Sequence, residues 1–395
     1  MKRAKNLFCN IASVENCREA ILNAASEKKT HKNVARVLND IDNYALKLSK
    51  MIEEDTWRPS EPGTKMLYDD HRHKWRSIKC PRFYPDQCMH WAVMLVAKPI
   101  FMRGMDAHSY GNVPDRGVHA AKKYCERIIR EYPENTKYML TMDIRHNFDT
   151  TPRWYVKELL QRKIKDEKTL HLIYKIIDTP YKDIDGNYVT DGFPIGFYTS
   201  PWFANLALEP LDHLIREKWG AKYYIRYADD MYIFGPDKEK LHEIQKNVSQ
   251  WLNEHGMELK PNWQVFDVDK RPIDFLGFTI RREYTKLRDS NFLRLSRRIR
   301  KASKKEKITV YDAKCILSMT GNLKHIPSHN FHKLHVKPYT SYKKLKGVIR
   351  NDAKNSKRRS SERRDDRTCW AYCDCMDCTR EHCVIPYILD SIDDR

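Results

Sequence analysis

Two neighbouring carboxylates are the strongest chemical feature of this sequence. Asp229 and Asp230 interrupt residues 223–234 (YYIRYADDMYIF), in which apolar and aromatic residues alternate on both sides and indicate two short strands joined at the acidic pair. Two carboxylates held at a tight hairpin repel each other unless a cation lies between them. Mg²⁺ suits such a pair because it takes oxygen ligands and binds phosphates at the same time. Asp is also common in ordinary turns, so an acidic turn without chemistry stays open on this stretch alone.

A third carboxylate precedes this pair at the end of another predicted strand. Residues 137–144 (KYMLTMDI) predict a strand that places Asp143 at its end, where a ligand side chain is well held. Thr151 and Pro152 then form an N-cap and first-turn pair that begins a helix. Asp143 is therefore a candidate third carboxylate for a cation site that includes the acidic pair.

The elements around these residues follow a recognisable order. From Tyr138 to Val268 the predicted order is strand, helix, helix, hairpin, helix and strand. Ser200 and Pro201 begin one of these helices, and Gly256 closes the helix that follows the hairpin. This order is typical of a split βαβ arrangement, in which helices cover one side of an antiparallel sheet. The sequence therefore predicts an α+β fold.

The charge of the chain indicates a polyanionic partner. The 395 residues include 73 Lys and Arg against 53 Asp and Glu, a formal net charge of +20, and such an excess favours nucleic acid. A basic structural protein is the alternative, but an aromatic content of 11% favours a folded core over a charged tail. No apolar run is long enough to span a bilayer. Most of the 11 cysteines are scattered, which favours a reducing, cytoplasmic setting.

Three of these features occur together in a known family. The strand-end Asp143, the Gly-x-x-x-Ser-Pro turn at 196–201 and the Tyr-Ala-Asp-Asp box at 227–230 resemble the palm of a reverse transcriptase. The resemblance covers residues 30–340, with the motifs in the order that the family has them. Residues 320–334 are similar to the thumb of the bacterial retroelement enzymes in that family.

The resemblance implies a right-hand polymerase of α+β class, with an antiparallel palm sheet covered by helices and a helical thumb. The expected domains are an N-terminal helical extension at 1–58, fingers at 59–135, a palm with a primer-gripping hairpin (275–278) at 136–280, a thumb at 281–350, and a basic linker with a cysteine-rich tail at 351–395. Within the last of these, the charged run 351–367 predicts a flexible linker.

The same resemblance implies an enzyme, an RNA-directed DNA polymerase that adds deoxynucleotides to a 3′-hydroxyl by a two-metal mechanism. The expected catalytic residues are Asp143, Asp229 and Asp230, and these residues together with Ile144 are the expected ligands of two Mg²⁺ ions. Asp143 and Asp229 would bridge both ions, while Asp230 contributes less. The main-chain N–H of Ile144 would donate to a triphosphate oxygen.

Further residues are expected to bind the incoming nucleotide. Arg76, in the run KWRSI, matches the fingers arginine that holds the triphosphate, and Phe148 matches the bulky ring that excludes a 2′-hydroxyl. Ordinary core packing is the alternative for Phe148. Gly196 and Ser200, in the Gly-x-x-x-Ser-Pro turn, are also expected to bind the nucleotide. Lys260 is the nearest candidate to protonate the pyrophosphate, because other residues occupy the family's usual lysine position.

The expected partners are an RNA template (a dedicated noncoding RNA in bacterial relatives), a DNA primer or product, deoxynucleoside triphosphates and an accessory protein, with no membrane. The subgroup is open, because Ile195 resembles the polymerases of diversity-generating retroelements whereas Pro201 departs from their pattern. A defence-associated enzyme with protein-primed or template-independent synthesis is one alternative. A non-catalytic RNA-binding scaffold is another.

The C-terminal end is a separate feature. Five cysteines and one histidine lie between residues 369 and 383, and Cys375 and Cys378 have the spacing of zinc ligands. The expected zinc ligands are Cys373, Cys375, Cys378 and Cys383. Redox-active thiols and incidental clustering stay open, because the spacings match no standard zinc knuckle.

Overall fold

The computed structural model describes residues 2–69 and 74–365, with the side chains of residues 2–68 and 75–355. The chain divides into two compact units, Met1–Arg271 and Pro272–Arg395. None of the helices in the described ranges combines the length and the hydrophobicity that crossing a lipid bilayer requires.

The first unit begins with helices, as the apolar periodicity of its first residues predicts. The four helices are α1 (Phe8–Ala12), α2 (Val14–Ala24), α3 (Lys32–Asn39) and α4 (Ile41–Glu53). Apolar residues recur at helical spacing from Val34 to Ile52, but two helices share them because Asp40 leaves helical geometry at φ −138° and ψ 47°. Helix α2 packs against α4 and against a longer buried helix, α5 (Cys88–Gly104). These contacts bury Ile21, Leu48 and Ile52 in the main core.

A two-stranded antiparallel ribbon precedes α5. Its strands are β1 (Gly63–Asp69) and β2 (Lys74–Cys80), with Leu67 opposite Arg76. Basic and apolar residues alternate along β2, as is typical of a strand whose two faces have different surroundings. Helix α6 (Val118–Glu131) follows the turn-rich loop at 109–117.

A four-stranded antiparallel sheet forms the centre of the first unit. Its strands are β3 (Tyr138–Asp143), β4 (Tyr223–Tyr227), β5 (Asp230–Gly235) and β6 (Gln264–Asp267), in the order β4-β5-β3-β6. The helices between these strands are α7 (Asn147–Thr150), α8 (Arg153–Lys163), α9 (Glu167–Ile177), α10 (Ser200–His213) and α11 (Lys238–Glu254). An antiparallel sheet surrounded by helices confirms the predicted α+β class.

The central strands of this sheet are deeply buried. Strands β4 and β5 are each buried at four successive positions, and successive side chains of a strand point to opposite faces. Both faces of these two strands are therefore covered by protein. Helix α6 packs on β4, and helix α11 packs on β5.

The second unit contains a small sheet and a group of helices. Its strands are β7 (Ile273–Phe275), β8 (Phe278–Ile280) and β9 (Thr285–Leu287), and its helices are α12 (Asp289–Ser303), α13 (Val310–Gly321), α14 (His329–Phe331) and α15 (Tyr342–Asp365). Leu276 and Gly277 join β7 to β8 with φ of +48° and +91°. The predicted hairpin at 275–278 thus belongs to the second unit, although the sequence places it with the preceding domain.

The charged run that follows residue 350 is helical where it is described. Helix α15 continues through this run to Asp365, so the prediction of a flexible linker is wrong for residues 351–365. The physical reason is composition, because this stretch lacks Gly and Pro and is rich in Lys, Arg and other residues that tolerate helix.

Candidate active site

The pairing of the central strands brings the three predicted carboxylate residues to one edge of the sheet. Asp143 lies directly opposite Asp230 in the β3–β5 pair. Tyr227 lies opposite Asp230 in the β4–β5 pair, so that Ala228 and Asp229 form the turn between these strands. Residues far apart in sequence therefore meet because β5 is hydrogen-bonded on both sides.

One oxygen of the Asp143 carboxylate forms an ion pair, and the other has no hydrogen-bond partner among the described residues. Its Oδ2 accepts a hydrogen bond from Lys260 Nζ, and the Lys260 main-chain N–H donates to the Asp143 carbonyl oxygen at 2.9 Å. Its Oδ1 is buried and has no hydrogen-bond partner among the described residues. A buried acceptor without a donor is costly unless a cation binds it.

This arrangement suits a divalent cation without forming a complete cage. Within residues 2–69 and 74–365, no three Asp, Glu, His or Cys side chains are already grouped as a metal site. The side chains of Asp143 and Lys260 are 20% and 30% exposed, so water and ligands reach this ion pair. The orphaned Asp143 Oδ1 and the adjacent Asp229 and Asp230 supply the hard oxygen donors that Mg²⁺ prefers.

Ile144 uses its main-chain N–H within the sheet. The Ile144 N–H donates to the Asp229 carbonyl oxygen at 3.2 Å. While this hydrogen bond is made, the Ile144 N–H does not make the predicted hydrogen bond to a triphosphate oxygen. The bond has a different consequence, because it ties the residue after Asp143 to the turn that carries Asp229.

Phe148 lies on the short helix α7, directly after the strand that ends in Asp143. The residue is half-buried, and its carbonyl oxygen accepts a hydrogen bond from the Phe193 N–H at 2.6 Å. A Cβ added at Gly192 would lie 2.2 Å from the Asp149 carbonyl oxygen. The loop at 192–199 therefore packs closely on the helix that carries Phe148.

The same loop is bound to strand β2. The Lys79 N–H donates to the Ile195 carbonyl oxygen at 2.7 Å. Gly196 has a φ of +113°, and a Cβ there would lie 2.4 Å from the Lys79 carbonyl oxygen, so this position requires glycine. The loop consequently contacts the strand that carries Arg76.

Ser200 faces the protein interior. The residue is 1% exposed, and its Oγ donates to the Pro194 carbonyl oxygen at 2.8 Å. In the structure Ser200 therefore closes the loop that contains Gly196, and its binding of a nucleotide stays a prediction.

Several polar residues behind the acidic turn were missing from the sequence-based candidates. Arg226 is fully buried, and its guanidinium forms a bidentate ion pair with Asp212 of helix α10, with Nε–Oδ1 and Nη2–Oδ2 distances both of 2.7 Å. Burial alone would lower the pKa of Arg226, but the Asp212 carboxylate outweighs it and raises this pKa. In the sequence, Arg226 could have been found as a charged residue inside an otherwise apolar and aromatic strand.

The predicted zinc ligands Cys373, Cys375, Cys378 and Cys383 lie outside the residues that the structure describes. Among the described cysteines, Cys17, Cys88 and Cys125 are buried free thiols, and burial raises the pKa of each. Such thiols are poor nucleophiles and contribute to packing.

Comparison with known proteins gives similarity over part of the chain. The chain is 28% identical over 170 residues to the group II intron-encoded protein LtrA of Lactococcus lactis, covering 43% of this chain and 28% of that protein. It is 24% identical over 160 residues to Protein YkfC of Escherichia coli, covering 40% of this chain and 42% of that protein. Among solved structures, apo telomerase from Candida tropicalis matches with a TM-score of 0.48 and 14% identity, covering 74% of this chain and 61% of the other. The chain thus spans less than half the length of the two curated relatives.

A family model matches the part of the chain that contains the candidate site. The model for reverse transcriptase (RNA-dependent DNA polymerase) matches residues 66–280. That range is more than half of the chain, and it contains the ribbon with Arg76, the loop with Gly196 and the sheet edge that joins Asp143 to the acidic turn. This chain therefore belongs to the reverse transcriptase (RNA-dependent DNA polymerase) family.

Proposed function

We propose that this chain is an RNA-templated DNA polymerase of a retroelement, which joins deoxynucleotides to a primer 3′-hydroxyl. The observation that carries the proposal is the β3–β5 register, which sets Asp143 opposite Asp230 and beside Asp229 within the range that matches the family model. Retention of all three carboxylates at one place argues against a non-catalytic RNA-binding scaffold, because negative charges beside a phosphate backbone weaken binding.

The acidic edge is the proposed place for magnesium. The Asp143 Oδ1 and the carboxylates of Asp229 and Asp230 would hold it. When bound, Mg²⁺ supplies electrostatic stabilisation of the attacking and the leaving oxygens in phosphoryl transfer.

Two roles are proposed for Lys260. Its ammonium group neutralises Asp143 in the structure as described, which reduces the repulsion between neighbouring carboxylates. Its Nζ would also carry a proton close to the acidic edge. That proton is available to the pyrophosphate that leaves during nucleotide addition.

The nucleotide pocket is proposed to lie between the ribbon and the loop at 192–199. Arg76 on β2 would bind the triphosphate, since a guanidinium matches phosphate oxygens in a fixed geometry. The half-buried ring of Phe148 would lie under the sugar and exclude a 2′-hydroxyl. Gly196 allows the loop and the strand to approach closely enough to form this pocket.

The proposed partners follow from charge and from the names of relatives. A formal net charge of +20 suits an RNA template and a DNA product. LtrA is named as an intron-encoded protein, so a dedicated noncoding RNA is the proposed template. The proposed domains are fingers at 59–135, a palm at 136–280 and a thumb at 281–350, preceded by a helical extension and followed by a basic tail.

A primer-extension assay tests this function. The full chain is incubated with an RNA template, a DNA primer, dNTPs and Mg²⁺, and we expect the primer to be extended. Asp143→Asn and Asp229→Asn should each lower the rate at least roughly 100-fold, whereas Asp185→Asn, in an exposed loop, should extend normally. Extension without an added template would favour template-independent synthesis. Equal activity in all the variants would refute the proposed site.

A further inference from the structure

We propose that Arg226 is a positioning residue for the acidic turn. Its buried guanidinium, held by Asp212 and Asn205, binds the Ala228 carbonyl oxygen and thereby fixes the backbone that presents Asp229 beside Asp143. This inference rests on the proposed polymerase function and names the part of the chain that sets the geometry of its site.

The guanidinium of Arg226 joins helix α10 to the turn. Besides its two bonds to Asp212, Arg226 Nη1 donates to Asn205 Oδ1 at 2.8 Å and to the Ala228 carbonyl oxygen at 3.1 Å. The Tyr224 hydroxyl donates to Asp212 Oδ1 at 2.6 Å. The Arg226 and Asp212 side chains are both 0% exposed, so water does not compete for these bonds.

The main-chain N–H and carbonyl groups of Arg226 are also hydrogen-bonded. Its N–H donates to the His108 carbonyl oxygen at 2.9 Å, and its carbonyl oxygen accepts from the Tyr110 N–H at 2.8 Å. Asn205 Nδ2 donates to the Gly111 carbonyl oxygen at 2.8 Å, which connects the same loop to helix α10. The loop, the helix and the strand therefore converge on one residue next to the turn.

The turn needs such support because Ala228 is in the left-handed region, with a φ of +54°. A residue with a Cβ is disfavoured there and persists only where its surroundings determine the conformation. Gly111 packs directly on this peptide, since a Cβ at position 111 would lie 2.2 Å from the Ala228 nitrogen. Arg226 thus binds the peptide group after Ala228, and Gly111 packs on the peptide group before it.

A buried ion pair is not by itself evidence of stabilisation. Replacing both partners with apolar residues is often neutral or stabilising, whereas removing one partner leaves an uncompensated charge. This difference separates a structural role from a positioning role. If the pair only stabilises the fold, an apolar pair should restore both stability and activity.

The test compares three variants of the full chain in primer extension. The double variant Arg226→Met/Asp212→Leu removes both charges and also the donor to the Ala228 carbonyl oxygen. Arg226→Lys keeps the charge but loses the planar set of donors. The control, Lys122→Met/Glu126→Leu, removes a nearly buried ion pair within helix α6.

We expect the double variant to fold, with kcat lowered about 100-fold and the KM for dNTP within about threefold of wild type, because a misplaced acid affects the chemical step more than binding. Arg226→Lys should give an intermediate kcat. Amide hydrogen exchange in residues 227–231 should become faster in the double variant and stay unchanged in the control.

Gly111→Ala tests the same turn without altering the buried charges. Its added Cβ meets the Ala228 nitrogen, and Gly117→Ala, where a Cβ would meet no atom within 4 Å, is the matched control. We expect Gly111→Ala to lower kcat at least tenfold and Gly117→Ala to leave it unchanged. If the double variant does not fold, the comparison of kcat between Gly111→Ala and Gly117→Ala tests the positioning role instead.

Wild-type kcat in a folded double variant, or in Gly111→Ala if the double variant is unfolded, would overturn the positioning role. A wild-type chain that does not extend primers would instead refute the proposed function, so the two failures are distinguishable.

Discussion

At the scale of single residues, Lys260 and Asp143 form an ion pair at the acidic edge. The ammonium group of Lys260 binds Asp143 Oδ2, beside the Oδ1 that is proposed to bind magnesium. Its positive charge opposes a second cation on the same carboxylate. We therefore expect Lys260 to compete with magnesium for the Asp143 carboxylate.

Lys260→Met should remove this competition. We expect the Mg²⁺ concentration for half-maximal extension to fall several-fold, while kcat falls about 100-fold because the proton donor is lost. Lys157→Met is the matched control, since Lys157 pairs with Asp178 and is also 30% exposed. A metal requirement that stays the same or rises in Lys260→Met would contradict the competition.

At the scale of elements, helix α5 contacts the loop that contains Gly196 through a buried histidine. His90 packs edge-to-face on Phe197, with ring centroids 5.0 Å apart. Its Nδ1 is buried without a hydrogen-bond partner among the described residues. Burial lowers the pKa of His90 to about 3, so the folded chain keeps this ring neutral.

This buried histidine predicts acid sensitivity. The unfolded chain protonates His90 below about pH 6.5 but the folded chain does not, so the free energy of unfolding falls as pH decreases from about 6.5 towards 3. His90→Leu should remove roughly 2 kcal/mol of the loss between about pH 6.5 and 5. Thermal unfolding at several pH values measures this, with the exposed His31→Leu as control. An unchanged pH dependence in His90→Leu would contradict it.

At the scale of the whole molecule, the excess of positive charge should determine how the chain holds nucleic acid. Helix α12 in the second unit presents Arg297 and Lys301 to solvent, one helical turn apart. Basic residues spaced in this way contact phosphates without reading sequence.

Binding of a primer–template duplex should therefore depend steeply on salt. Arg297→Gln/Lys301→Gln should weaken binding and reduce the slope of log K against log salt by about 2, because each phosphate contact contributes about 0.9. Lys240→Gln/Lys246→Gln, on the exposed face of α11, is the control. The proposal for α12 fails if both pairs of substitutions change the slope equally.

The sequence was sufficient for features that depend on local patterns. Alternating apolar residues predicted β3, β4 and β5, and the structure pairs these strands so that Asp143 lies opposite Asp230. The strand predictions succeeded because period-two patterning is a local signal. The close approach of Gly196 to Lys79 was not predicted and is visible only in the structure.

Other features depend on tertiary packing, which patterns do not contain. The ion pair between Arg226 and Asp212 joins two elements whose contact is visible only in the fold. The engagement of the Ile144 N–H by Asp229 likewise follows from the closeness of β3 to the turn. The division at Arg271 rather than at residue 280 reflects contacts of the short β7–β8 hairpin within the second unit.

Metal binding to the acidic edge is the most direct test of the proposed active site. Mn²⁺ is titrated calorimetrically into the full chain bound to a primer–template, for wild type, Asp143→Asn, Asp229→Asn and the control Asp185→Asn. We expect both active-site variants to bind Mn²⁺ at least roughly tenfold more weakly than wild type, since each removes a charged ligand, and the control to bind normally. Wild-type Mn²⁺ affinity in Asp143→Asn and Asp229→Asn would contradict the proposed active site.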